Sequence, residues 1–179
     1  TGDETVSYTY DRNGNKKSET LANGVVSTYD YNNANRIVKL VNKKGNSTIS
    51  SYEYSYYLDG SDACKKTTEN GIIETTEYEY DGLKRLTNEA VKKGSNTEDY
   101  VTEYNYNNAQ GKYTALLQKE VKTVEKEENP LDLNSNVKQT VYTYDANGNQ
   151  ITKTAEGKTE TNTYDGLNQL IGFTDGETT

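Results

Sequence analysis

Large and polar side chains alternate along this chain in short runs, and each run closes on two tyrosines one residue apart followed by a polar turn. The steps are Tyr8-Thr9-Tyr10-Asp11, Tyr29-Asp30-Tyr31-Asn32, Tyr52-Glu53-Tyr54-Ser55, Tyr78-Glu79-Tyr80-Asp81, Tyr104-Asn105-Tyr106-Asn107 and Tyr142-Thr143-Tyr144-Asp145, with a shortened Thr163-Tyr164-Asp165. Strand side chains alternate between faces, so both rings of a pair share one face. Carrying that phase backwards puts Val6, Tyr8, Tyr10, Val25, Ser27, Tyr29 and Tyr31 on the tyrosine face. Ile72, Glu74, Thr76, Tyr78, Tyr80, Tyr100, Thr102, Tyr104 and Tyr106 follow in the same phase. Thr5, Ser7, Thr9, Thr28, Asp30, Thr75, Glu77, Glu79, Glu103 and Asn105 take the opposite face. One aromatic face and one polar face predict antiparallel strands with a solvated side.

The turns carry their own chemistry. In Asp11-Arg12-Asn13-Gly14 and Asp145-Ala146-Asn147-Gly148 the leading aspartate can accept backbone N–H bonds, and Gly14 and Gly148 can take the positive φ that closes the turn. Asn32, Asp81, Asn107 and Asp165 lead the other copies, with Asn35, Asn168 and the poorly suited Lys84 in the glycine place. A second set of turns is predicted at Asn23-Gly24, Lys44-Gly45, Asn70-Gly71, Lys93-Gly94 and Glu156-Gly157. The unit is therefore strand, turn, strand, turn.

Repetition decides the domain organisation. Second tyrosines at 10, 31, 54, 80, 106, 144 and 164 mark about seven units in a single array over residues 1–179, an up-and-down meander of about thirteen strands. Sheets of more than about ten strands seldom stay flat, so the expectation is all-β, a curved and open spiral or shell segment. Two places depart from the pattern. The third copy adds Tyr56 and Tyr57 and moves its Asp-Gly turn to Asp59-Gly60, lengthening its hairpin. A longer insertion occupies about 119–138, where Leu116, Leu117, Val121 and Val124 could lie on a helical face, although repeat context favours two longer strands joined by a loop around Glu127–Asp132 that holds Pro130, the only proline.

Composition alters this picture in one respect. Leu, Ile, Val and Phe supply 29 of 179 residues at a net charge of −8, a balance associated with disorder. Seventeen tyrosines, each able to bury a ring while keeping its hydroxyl bonded, and a hydrophobic phase kept in step with the turns override that prior. The 25 threonines add strand preference. Acidity argues against nucleic acid as partner, and no apolar run reaches the ~18 residues of a membrane span. Cys64 stands alone, so no internal disulfide forms, and it reads as a small residue in an irregular turn.

Catalytic chemistry is sparse. Histidine is absent, which removes the commonest general base and metal ligand. The pair Glu77 and Glu79 falls on the solvated face, where nothing raises a carboxyl pKa. Asp145, Asn147, Asn149 and Glu156 match positions of a calcium loop, but Gln150 replaces the required glycine and no helices flank it. The expectation is a non-enzyme with no catalytic residues, no cofactor and no metal site. The tyrosine face could also stack on sugars, an alternative to a ladder of rings packed on one another.

Tyr-x-Tyr-Asp-x-x-Gly at twenty-odd-residue intervals, seen best in Tyr142–Asn149 and Tyr78–Leu86, with Tyr56–Gly60 as a variant, resembles the YD-repeat or Rhs-repeat family. The resemblance covers about Val6 to Phe173. It implies a long sheet spiralling into a hollow shell, as in bacterial Rhs and toxin-complex proteins, wall-associated proteins and teneurins, secreted or at the cell surface, in some members enclosing a C-terminal toxin. Partners would then be the remainder of the same polypeptide, including further repeats and such a toxin. The family's self-cleaving core segment has no counterpart here. Seven units are too few to close a shell, and open edges invite edge-to-edge self-association. The functional expectation is a structural repeat segment of a larger bacterial protein, with adhesion to a glycan or protein as the alternative. The residues that define it are Tyr8, Tyr10, Asp11, Gly14, Tyr29, Tyr31, Tyr52, Tyr54, Tyr78, Tyr80, Asp81, Tyr104, Tyr106, Tyr142, Tyr144, Asp145, Gly148, Tyr164 and Asp165.

Overall fold

The computed structural model describes residues 5–94, 99–108, 110–125 and 137–176. All regular structure there is strand, and the sheet order follows the chain from β1 to β14. Two compact units divide the chain, one of residues 1–78 with 91–97, the other of 79–90 with 98–179.

The first unit is a meander of β1 (Ser7–Tyr10), β2 (Lys16–Thr20), β3 (Val25–Tyr31), β4 (Ile37–Lys44), β5 (Ser47–Tyr56) and β6 (Asp62–Glu69), joined by most of β7 (Ile72–Tyr80) and the end of β8 (Leu86–Lys93). The second holds the rest of β7 and β8 with β9 (Asp99–Asn105), β10 (Lys119–Glu125), β11 (Val137–Tyr144), β12 (Gln150–Ala155), β13 (Lys158–Tyr164) and β14 (Leu170–Thr174). Lys119–Glu125 is strand, paired to both β9 and β11, so the repeat context prevails over the helical reading there. The loop expected around Pro130 lies outside the described residues.

At the tyrosine pairs from β3 onward burial follows the predicted alternation, whereas Val6, Tyr8, Tyr10 and Ile72 of the same predicted face are exposed. Tyr29, Tyr31, Tyr78, Tyr80, Tyr104, Tyr106, Tyr142, Tyr144 and Tyr164 are half-buried, whereas Asp30, Glu79, Asn105, Thr143 and Thr163 beside them are exposed. Among the described residues the only fully buried apolar side chain is Val91, 2% exposed. The other buried residues are Ser50, Thr76 and Thr102, each two places before a first tyrosine on the tyrosine face. The protected face is therefore polar at its deepest points, and hydrogen bonds must hold much of it.

One turn geometry recurs eight times among the described residues; seven of these turns follow tyrosine strands and are the leads counted below, and the eighth, at Leu21, joins the first of those hairpins to the next. The N–H of a lead residue donates to the carbonyl four places on, and the N–H three places on donates back to the lead carbonyl: Asp11 with Asn15, Leu21 with Val25, Asn32 with Arg36, Tyr57 with Ser61, Asp81 with Arg85, Asn108 with Lys112, Asp145 with Asn149 and Asp165 with Gln169. The residue three places after the lead is always at positive φ: Gly14, Gly24, Asn35, Gly60, Lys84, Gly111, Gly148 and Asn168. True two-residue loops occur at Asn70-Gly71 and Glu156-Gly157, with both residues at positive φ as a type I′ loop requires, and at Gly45-Asn46 with positive φ at the glycine. This corrects three expectations. Asn23-Gly24 belongs to the longer turn, Gly45 opens its loop instead of closing it, and the fifth lead is Asn108 instead of Asn107, because Asn108 Oδ1 accepts the N–H groups of Gln110 and Lys112.

Register is counted from these turns. Where one hairpin meets the next, the residue seven places after one lead pairs with the residue four places before the following lead: Ser18 with Thr28, Lys39 with Glu53, Cys64 with Glu77 and Thr152 with Thr161. That frame places the third lead at Tyr57 and its preceding tyrosines at Tyr54 and Tyr56, one step beyond the Tyr52 and Tyr54 of the sequence frame. Between Lys39 and Glu53 the chain is one residue too long for unbroken pairing around Gly45-Asn46, and a bulge at Asn42–Lys43 absorbs the surplus. Cys64 lies within β6, opposite Ser55 and Glu77, and not in a turn.

Candidate functional site: the tyrosine face and the turn edge

Each Asx lead forms the same cradle. Asp11 Oδ1 accepts the N–H groups of Asn13 (2.8 Å) and Asn15 (2.9 Å), and its Oδ2 accepts Asn15 Nδ2 (3.0 Å). Asp145 repeats this with Asn147 and Asn149. Asp165 takes the N–H groups of Leu167 and Gln169, and Asn32 those of Ala34 and Arg36. Asp81 accepts Leu83 and Arg85 N–H and pairs with the Arg85 side chain. The Asn15 and Asn149 amides hold the Asp11 and Asp145 carboxyls below the usual range, and the Arg85 guanidinium does the same for Asp81. Where the lead cannot accept, a residue two places on substitutes: Asp59 Oδ1 takes Ser61 N–H and Asn23 Oδ1 takes Val25 N–H. In Asp11, Asp81, Asp145 and Asp165 the Oδ1 atom is engaged by two backbone N–H groups of the turn.

Neighbouring turns also touch. Asn35 Oδ1 accepts Asn13 Nδ2 (3.3 Å) and Asn15 Nδ2 (2.9 Å), and Asn168 Oδ1 accepts Asn147 Nδ2 (3.0 Å) and Asn149 Nδ2 (2.9 Å). In the stretch set aside above as a calcium loop, Asn147 and Asn149 belong instead to an amide ladder with Asn168. The fourth residue of that stretch, Glu156, sits in a separate loop and pairs with Lys138.

The second tyrosines have a specific task. Tyr31 donates its hydroxyl to Lys16 O (2.8 Å), Tyr56 to Ile37 O (2.6 Å), Tyr106 to Leu86 O (3.0 Å) and Tyr164 to Gln150 O (3.2 Å). Each acceptor lies five places after the preceding lead, so the ring ties one hairpin to the last. Tyr144 makes the equivalent bond to Leu117 O (2.7 Å). Cations add to this: Arg36 lies over Tyr56, Arg85 over Tyr106 and Lys16 over Tyr29. Tyr8 and Tyr10 on β1 are 49% and 61% exposed.

Tyr52 and the first tyrosines Tyr104 and Tyr142 join polar networks. In the first unit Ser27 donates to Asn42 Oδ1 (2.7 Å), Asn42 Nδ2 donates to Ser50 Oγ (2.9 Å), and Tyr52 donates to Glu69. In the second, Tyr104 donates to Glu89 (3.3 Å) and Tyr142 to Glu120 (3.4 Å), and burial raises both phenol pKa values. Sequence reading missed these rows because they depend on cross-strand register.

The opposite face of the first unit carries a row of alternating charge, Asp30, Lys39, Glu53 and Lys66, directly paired across β3 to β6. Lys39 and Glu53 form an ion pair at 2.8 Å that raises the lysine pKa and lowers the glutamate's. These residues line a shallow depression of about 490 Å³ with Ser55, Cys64 and Thr75. Burial pushes the Cys64 thiol up, away from the reactive thiolate. No cluster of metal-ligating side chains occurs among the described residues, and no helix there is long and apolar enough to cross a membrane.

The turn, strand and register just described over the first two leads coincide with a match of residues 10–47 to the RHS Repeat family. The chain carries an RHS repeat. No curated protein matches it significantly. Two solved structures share the fold of this chain, TcdB2-TccC3-Cdc42 and TcdB2-TccC3, each with a TM-score of 0.55 and 14% identity over 92% of this chain. The chain spans only 11% of either matched chain. The matched segment runs from Tyr10 through two lead turns to the Gly45-Asn46 loop. Beyond it the same turn geometry recurs at Tyr57, Asp81, Asn108, Asp145 and Asp165. The chain is a structural repeat segment.

Proposed function

We propose that this segment is part of the wall of a secreted or surface-exposed bacterial protein, a shell or spacer that encloses another portion of the same polypeptide, such as a C-terminal toxin. The observation that carries the reading is the register that four junctions share when counted from their lead turns: one backbone geometry is copied, and its chemistry-bearing side chains are used on one another. The Asx carboxylates hold turns, the second tyrosines hold the preceding hairpin, and the first tyrosines hold carboxylates. That usage supports a scaffold over an enzyme, and a packed ladder over a glycan-stacking surface.

The test is protease protection in the full-length protein. Sequence following the repeats should resist digestion while the array is folded and become sensitive once it is unfolded by denaturant. Equal sensitivity with and without the folded array would rule out an enclosing wall. Adhesion is checked by titrating the segment with cell-wall and host glycans. Saturable binding that disappears in Tyr104→Ala with the β circular-dichroism signal intact would favour the adhesive reading.

A further inference from the structure

Four Asn-Gly steps occur in the chain, Asn13-Gly14, Asn23-Gly24, Asn70-Gly71 and Asn147-Gly148, and the fold treats one of them differently. An asparagine before glycine can react with its own backbone, the glycine nitrogen attacking the asparagine Cγ. Glycine favours the attack because it has no Cβ to crowd the nitrogen and its backbone rotates freely. Three of the four steps are tied down at both reacting groups. The attacking N–H is bonded in each: Gly14 donates to Asp11 O (3.2 Å), Gly24 to Leu21 O (2.9 Å) and Gly148 to Asp145 O (3.1 Å). The side-chain amides are held as well, since Asn13 Nδ2 donates to Asn35, Asn147 Nδ2 donates to Asn168, and Asn23 Oδ1 accepts the Val25 N–H. Asn70-Gly71 is the two-residue loop between β6 and β7, and both of its residues are exposed. Among the described residues the Gly71 N–H makes no backbone bond and the Asn70 side chain makes no hydrogen bond.

We propose that Asn70 is a site of spontaneous deamidation in the folded protein, while the turns around Asn13, Asn23 and Asn147 protect those residues. Attack by the Gly71 nitrogen forms an N–Cγ bond and breaks the Cγ–Nδ2 bond of Asn70. The Gly71 amide proton passes through solvent to the departing nitrogen, which leaves as ammonia. Water then opens the five-membered imide at one of its two carbonyls, giving aspartate or isoaspartate, and no oxidant or cofactor takes part. Ring closure needs a rotation of the asparagine backbone. At Asn70 the pair that closes the loop, Glu69 with Ile72, is all that must yield, whereas at the other three steps the turn bond of the glycine must open first. Either product places a new negative charge beside Glu69. Isoaspartate also runs the main chain through the former side chain, adding one carbon to the loop that sets Glu69 opposite Ile72 and Thr68 opposite Ile73. The β6–β7 hairpin is therefore where the array ages first.

The test is a time course of the folded 179-residue chain at neutral pH, followed by tryptic peptide mapping. Cleavage after lysine and arginine puts the four steps in four peptides, with Asn70 in Thr67 to Lys84. Conversion of amide to acid, divided between aspartate and isoaspartate, should run about tenfold faster in that peptide than in each of the other three. Two ordinary hydrogen bonds to be broken impose a factor of that order. In denaturing urea the four rates should converge, because the turns that separate them are gone. Asn70 converting no faster than Asn13, Asn23 or Asn147 in the folded chain overturns the proposal. So does a spread that persists undiminished in urea, since it would then belong to the neighbouring residues and not to the fold.

Discussion

Lys84 occupies a backbone position that its side chain disfavours, and replacing it isolates the strain. Its φ is 62°, at the place where Gly14, Gly24, Gly60, Gly111 and Gly148 stand in equivalent turns. Holding a residue with a Cβ in the left-handed region costs about 1–2 kcal/mol. Glycine relieves that but gives up about 0.5–1 kcal/mol of extra chain entropy. The net gain for Lys84→Gly over Lys84→Ala is then about 0.5–1 kcal/mol, or roughly 1–4 °C in melting temperature for a chain of this size. Alanine is the proper reference because both variants lack the lysine side chain, so the comparison isolates the backbone. The reciprocal change, Gly148→Ala, should destabilise by about 1 kcal/mol through backbone strain, since the nearest atom to the new Cβ would be Leu116 Cδ1 at an ordinary 3.7 Å. Thermal and urea unfolding of the three variants measure this. A Lys84→Gly protein no more stable than Lys84→Ala would refute the turn argument.

Two other perturbations test the hydrogen-bonded face and the cradles. Tyr144→Phe strands the Leu117 carbonyl and should lower stability by ~1 kcal/mol in urea titration, whereas Tyr10→Phe, at an exposed ring, should leave the stability of this segment unchanged. Asp11, Asp81 and Asp145 have folded-state pKa values below their ordinary 3.8, so their contribution is complete above that value and disappears as pH falls through the lower one. Urea midpoints measured down the acid limb should therefore fall less steeply in Asp145→Asn than in the parent; an identical slope would remove the carboxylate from the account.

Strand placement and faces were legible because they are local. Tyr-x-Tyr and the Asx leads sit within a few residues of everything that defines them, and the half-buried tyrosines flanking exposed partners follow the period of two. The third copy was harder, since Tyr52, Tyr54 and Tyr56 continue one alternation and its lead, Tyr57, is not an Asx residue. Only pairing with β4 and β7 selects the frame there. Likewise Asn107 and Asn108 are equivalent to a reader of composition, and backbone bonds choose the second. The tyrosine acceptors and the Ser27, Asn42, Ser50 row were hidden for the same reason: each joins residues brought together by register alone.

The bulge at Asn42–Lys43 has an evolutionary corollary. A one-residue insertion in a strand normally turns every later side chain to the wrong face. Here the count restarts at each lead turn, so an insertion between turns need only be absorbed locally, as this bulge absorbs one between Lys39 and Glu53. Lineages can therefore lengthen or trim individual hairpins, and duplicate or delete whole ones, without renegotiating the pairing of the rest.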